Sequence, residues 1–114
     1  MRDLNTVDIY CQVIDNYGDA GVCWRLARSL AQHELAVTLW VDNLARLAAL
    51  RPTLKMNAQS QDVDGFTVRA WESHTVPHQP CDLVIEAFGC RMPEAQLTAM
   101  AAMRKPPVWI NLEY

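Results

Sequence analysis

Short runs of β-branched and aromatic residues alternate along this chain with runs of helical periodicity, and that alternation restricts its possible folds more than any other feature. Residues 7–14 (VDIYCQVI) read as a first strand. Val22, Leu26, Ala27 and Leu30 then recur at helical spacing, which predicts an amphipathic helix from about residue 20 to 33. Residues 36–41 form a second strand, ended by Asp42 and Asn43, and residues 44–50 a short helix stopped near Pro52. The polar stretch 53–65 is expected to be irregular. Residues 66–71 read as a third strand, and 72–80, with two prolines and two histidines, as a loop. The near-continuous apolar run 82–88 suits a strand covered on both faces. Gly89, Cys90 and Arg91 turn the chain, Pro93 opens a helix that continues through Leu97 and Met100 to Arg104, and residues 108–112 form a last strand.

Strands separated by helices imply right-handed crossovers and a parallel sheet. The expected fold class is therefore α/β, a Rossmann-like parallel sheet with helices on both faces. The 114 residues suffice for one domain, 1–114. Because the chain stops at a strand end, with no covering helix, it reads as truncated. A net charge of -3 leaves no polybasic patch, which argues against nucleic acid as a partner. No apolar run approaches the roughly 20 residues of a membrane span, and the polar N-terminus resembles no signal peptide. Cys11, Cys23, Cys81 and Cys90 form no C-x-x-C pair, so reduced thiols in the cytoplasm are expected. His33, His74 and His78 show no ligand spacing, and neither a metal nor a cofactor is expected.

The chemistry concentrates where the first strand hands over to the first helix. Asp15, Asn16, Tyr17, Gly18, Asp19, Ala20 and Gly21 place two carboxylates, two glycines and an aromatic ring at a strand's carboxyl end, where open α/β sheets bind ligands. Such a loop repels phosphate and suits a cation, or a group that must lose a proton. The glycine spacing of a dinucleotide fingerprint is missing, as is a Walker A loop. A phosphoacceptor receiver would want a lysine after the last strand, where this chain has Asn111 and Glu113.

Each of these residues also has a plainer role available. Asp19 can simply cap the helix, Asp15 can close an Asx turn and Gly18 can supply a positive φ. Tyr17 can lie against a planar cation or pack on the helix. Glu86 interrupts an apolar strand near its carboxyl end, where an unpaired carboxylate would be costly. Glu113 ends the next strand in the same register. With all strands parallel, Asp15, Asp19, Glu86 and Glu113 approach one rim. The four tryptophans read as core or rim packing, and His74 and His78 as loop residues without chemistry.

Three ordered stretches carry a resemblance. Residues 13–22 (VIDNYGDAGV) with 24–28 (WRLAR), then 84–90 (VIEAFGC), then 107–114 (PVWINLEY), are similar to the motifs of the elongation factor P arginine rhamnosyltransferase (EarP) family. The resemblance implies an inverting GT-B glycosyltransferase: two Rossmann-like domains facing across a cleft, with no metal requirement. It implies transfer of rhamnose from dTDP-β-L-rhamnose to one arginine of translation elongation factor P, which relieves stalling at proline runs. The family's two motif aspartates map onto Asp15 and Asp19 as catalytic residues. Asn16, Tyr17 and Gly18 border the substrates, and Glu86, Glu113 and Tyr114 are candidate acceptor contacts. The donor is held mainly by a C-terminal domain, absent from this chain, which also supplies a catalytic glutamate. This piece would then be the acceptor side, probed for two other readings: a non-catalytic module docking elongation factor P, or a generic Rossmann-like nucleotide binder.

Overall fold

A computed structural model describes every residue except 1–3, 14–16, 56–57, 59, 72–77 and 114, and leaves out the side chain of residue 17. In chain order the elements are β1 (Thr6–Cys11), α1 (Tyr17–Gln32), β2 (Ala36–Val41), α2 (Leu44–Leu50), β3 (Ser60–Val63), β4 (Phe66–Ala70), β5 (Leu83–Ala87), α3 (Glu94–Ala101) and β6 (Val108–Leu112). The six strands make one sheet in the order β3-β4-β2-β1-β5-β6. All neighbours pair in parallel except β3 with β4. The fold is thus α/β, with a mostly parallel sheet and three helices.

Helices lie on both faces because the strands are apolar on both. Val7, Ile9 and Cys11 of β1 point to one side, into a cluster with Ala20, Cys23, Trp24 and Ala27 of α1 and Leu44, Leu47 and Ala48 of α2. Those α1 positions follow the i, i+3, i+4, i+7 spacing of a single helical stripe. Tyr10 points the other way, into a smaller cluster with Trp40, Val84, Cys90, Met92 and Met100 of α3. Local sequence sets the helix ends. Asn43 caps α2 by accepting the Arg46 N–H at 2.9 Å. After α1, Glu34 takes a left-handed φ of 65°, and the N–H groups of Glu34 and Leu35 return to the carbonyls of Ala31 and Leu30. That is a Schellman stop built on a non-glycine residue.

Several sequence expectations need correction. The stretch 53–65 is not wholly irregular, since it contains β3, an antiparallel edge strand. Asp64 (φ 52°) and Gly65 (φ 88°) form the two-residue turn joining it to β4. Helix α1 begins at Tyr17, three residues early, so Asp19 sits inside its first turn instead of capping it, and Gly18 is helical without a positive φ. Helix α3 ends at Ala101, short of Arg104. Strand β5 stops at Ala87, and Phe88 belongs to the turn that follows.

Candidate active site

Strand order reverses beside β1. From there the chain reaches β2 and β4 on one side under α1 and α2, and β5 and β6 on the other, connected by α3. The carboxyl ends of β1 and β5 flank that reversal, the place where a crevice opens in such sheets. The chain leaving β1 is tied down at once: the Val13 N–H donates to Asp42 Oδ1 at 2.6 Å, from the end of β2. On the far side of the loop, Asp19 is 8% exposed in the first turn of α1, where the helix dipole favours an anion. A β-carbon added at Gly18 would meet no atom within 4 Å, so the surface beside Asp19 is open. Asp15, Asn16 and Tyr114 lie outside the described residues, as does the side chain of Tyr17.

Glu86 faces the other side of the same rim. It is 6% exposed, with Oε2 accepting the Met92 N–H and Oε1 the Trp109 Nε1–H, both at 2.8 Å. These bonds answer the cost of burying its carboxylate. Glu86 also borders a cavity of about 300 Å³, together with Gly89, Arg91, Trp109, Asn111 and Glu113. Asn111, not Glu113, pairs with Glu86 across β5 and β6, so Glu113 stands two residues farther toward the rim than the sequence suggested. Asp19 does not line this cavity, since α1 packs on the opposite face. Of the described carboxylates, Asp19 thus stands on the α1 side of the sheet, and Glu86 and Glu113 border the cavity on the other. Burial, reinforced by the charges of Asp42 and Glu86, pushes the Cys90 thiol up to about 12.

A second polar cluster escaped the sequence reading. Asp8, 1% exposed in β1, accepts from Trp40 Nε1 at 2.8 Å, from the Cys81 N–H at 3.1 Å and from His78 Nε2 at 3.2 Å. The His78 ring stacks on Trp40 with centroids 4.4 Å apart, and its backbone exchanges two hydrogen bonds with the Gln96 amide. His78 is thus no idle loop residue; it fastens the β4–β5 connection to β1, β2 and α3. Burial alone would raise the Asp8 pKa, but the His78, Trp40 and Cys81 donors hold it below the usual carboxylate value. The available signal was Asp8 itself, a carboxylate interrupting β1 as Glu86 interrupts β5. Of the four tryptophans, Trp109 takes the rim position, 51% exposed and bonded to Glu86. Among the described residues no group of three or more His, Cys, Asp or Glu side chains could hold a metal ion. No helix among them is long and apolar enough to cross a membrane.

Residues 7–114 match the family model described as Elongation-Factor P (EF-P) rhamnosyltransferase EarP. This chain belongs to the EarP family. Among its curated relatives is a protein-arginine rhamnosyltransferase of Pseudomonas putida, 50% identical over 110 residues, covering 96% of this chain and 29% of the relative. The Pseudomonas aeruginosa enzyme of the same name is 50% identical over 108 residues, 94% of this chain and 29% of that one. The Shewanella oneidensis enzyme is 40% identical over 114 residues, with 94% and 29% covered. The chain thus spans less than a third of the EarP relatives it matches. The EarP match takes in both motif aspartates, Glu86, Trp109 and Glu113.

Proposed function

We propose that this chain is the acceptor-side, Rossmann-like N-terminal domain of an inverting GT-B protein-arginine rhamnosyltransferase acting on elongation factor P. The donor is dTDP-β-L-rhamnose, held mainly by the C-terminal part that relatives of full length carry. The observation that carries the reading is Asp19, a nearly buried carboxylate in the first turn of α1 at the strand-order reversal, inside the family match. Arginine is a poor nucleophile because its guanidinium stays protonated. A carboxylate pair grips the planar fork through charge-assisted hydrogen bonds and turns one nitrogen toward the sugar. That nitrogen attacks the anomeric carbon, the bond to the dTDP oxygen breaks with its electron pair, and the nitrogen's proton passes to a carboxylate.

In this reading Asp19 takes the proton and Asp15 orients the guanidinium. Asp19 stands at the positive end of α1, and the proton leaves the guanidinium once attack on the sugar has acidified it. Asn16, Tyr17 and Gly18 border the reacting groups; Glu86, Glu113 and Tyr114 contact the acceptor protein. The test is turnover by a full-length chain in which residues 1–114 are continued by the remainder of the Pseudomonas putida relative. Asp15→Asn and Asp19→Asn each lose at least about a hundredfold in kcat, as expected for removal of a general base or its aligned partner. A near-normal rate in either variant removes that residue from the mechanism. The alternative reading is a non-catalytic module that docks elongation factor P. An amide-shift titration with elongation factor P, repeated with Asp19→Ala, tests that role.

A further inference from the structure

The turn that ends β5 is strained in a particular direction. Cys90 donates its N–H to the Ala87 carbonyl at 3.0 Å, and the two residues between them, Phe88 (φ 52°) and Gly89 (φ 80°), are both left-handed. This mirror-image turn is the usual place of glycine, asparagine and aspartate. Gly89 fits it. A phenylalanine there is an outlier, and such a residue persists only where its surroundings over-determine it.

Two contacts hold Phe88. Its N–H donates to the Leu112 carbonyl at 2.7 Å, one rung beyond the last β5–β6 pair, and its side chain packs against the apolar cluster beneath α1. Had β5 simply continued, residue 88 would share the face of Glu86, on the α3 side. Instead its ring packs with the larger cluster, on the α1 and α2 side of the sheet. The cluster it reaches includes Val13 and Ala20, at 0% and 2% exposure, which bracket the segment carrying Asp19. An Asn-Gly pair would build the same turn without strain, so turn geometry gives no reason for the aromatic ring.

We propose that Phe88 is a positioning residue for Asp19: the strained turn drives its ring against the core beneath the first turn of α1 and fixes where the Asp19 carboxylate stands relative to the β5 rim. The inference rests on the catalytic reading of Asp19. A displacement of a general base by a fraction of an ångström to an ångström slows turnover without changing how the acceptor protein docks.

The experiment uses the same full-length chain, with elongation factor P and dTDP-β-L-rhamnose, each variant assayed well below its melting temperature. Phe88→Ala lowers kcat about tenfold and leaves KM for the factor within about twofold, and Phe88→Leu recovers most of the loss. In the Asp19→Asn background, Phe88→Ala changes the residual rate less than about twofold, because its route of action is gone. Full additivity of the two substitutions overturns the proposal, as does a wild-type kcat in Phe88→Ala. If Phe88→Ala fails to fold, Phe88→Val decides: a loss confined to kcat supports the proposal, and a wild-type kcat or a shift in KM alone overturns it. Wild-type turnover by Asp19→Asn would instead remove the catalytic reading beneath it.

Discussion

Asp8 and Glu86 lie on the same face of adjacent strands, and each is gripped by an indole N–H from one neighbouring strand and a backbone N–H from a connection. Trp40 and Cys81 serve Asp8 at 2.8 and 3.1 Å; Trp109 and Met92 serve Glu86, both at 2.8 Å. What differs is a third donor on Asp8, His78 Nε2 at 3.2 Å, and the cover. Trp40, 2% exposed, is stacked on Tyr10 and His78, with the Arg69 guanidinium 4.6 Å from its ring centre. Trp109 is half-exposed at the sheet edge and borders a cavity. One clamp thus serves as a closed internal staple in β1 and as the wall of an open rim in β5. The exposure of one indole donor and, among the described residues, the absence of a third contact such as His78 separate the open clamp from the closed one.

The sharpest break of that comparison is truncation. Asp8→Ala strands buried donors on Trp40 and Cys81 and destabilises by about 3 kcal/mol or more in urea titration, whereas Glu86→Ala costs about 1–2 kcal/mol because water reaches Trp109. Equal losses would mean that the exposed indole confers no relief. Removing only the indole donors is milder: Trp40→Phe costs about 2 kcal/mol and Trp109→Phe about 0.5–1 kcal/mol, read from the same titrations.

Acid separates the two sites further. The folded pKa of Asp8 lies below its ordinary value, so its contribution is complete above about pH 4, the unfolded value, and is lost as pH falls through the lower folded one. Denaturation midpoints measured between neutral pH and pH 2 fall less steeply in Asp8→Asn than in the wild type. The smallest effect concerns thiols. Burial, then the Asp8 charge, pushes Cys81 up to about 12. Alkylation of Cys81 at mildly basic pH is therefore slow, and Asp8→Asn speeds it severalfold, while Glu86→Gln leaves it unchanged; mass spectrometry of the labelled chain distinguishes the two.

The fold was legible wherever periodicity was strong. Five parallel strands and three helices follow from β-branched runs and from stripes such as Cys23, Trp24 and Ala27. Strand β3 was not, because Ser60, Gln61 and Asp62 carry no apolar face, and only the Asp64-Gly65 pair announced a hairpin. The early start of α1 was hidden by Gly18, a poor helix former that tertiary context overrides. Of the candidate site, the place of Asp19 could be read from its strand-to-helix position, while the roles of Asp15, Asn16 and Tyr114 stand on resemblance. The Asp8 cluster was illegible for a plain reason: its donors come from residues 32, 70 and 73 positions away.

The central place of β1 also sets an order of assembly. Its partner β2 begins only at Ala36, but its other partner, β5, waits until Leu83. As the chain leaves the ribosome, β1, α1 and β2 can join early, while the β5 side of β1 stays an unpaired edge until some forty more residues have followed. The stitches that close this edge are the Asp82 carboxylate on the N–H groups of Asn5 and Thr6, at 2.8 and 3.2 Å, and the Cys81 N–H on Asp8. The rim beside Asp19 therefore acquires its second wall only after β2, β3 and β4 have left the ribosome. Until that moment the nascent chain presents an open β1 edge, the kind of surface that chaperones shield and that aggregation exploits.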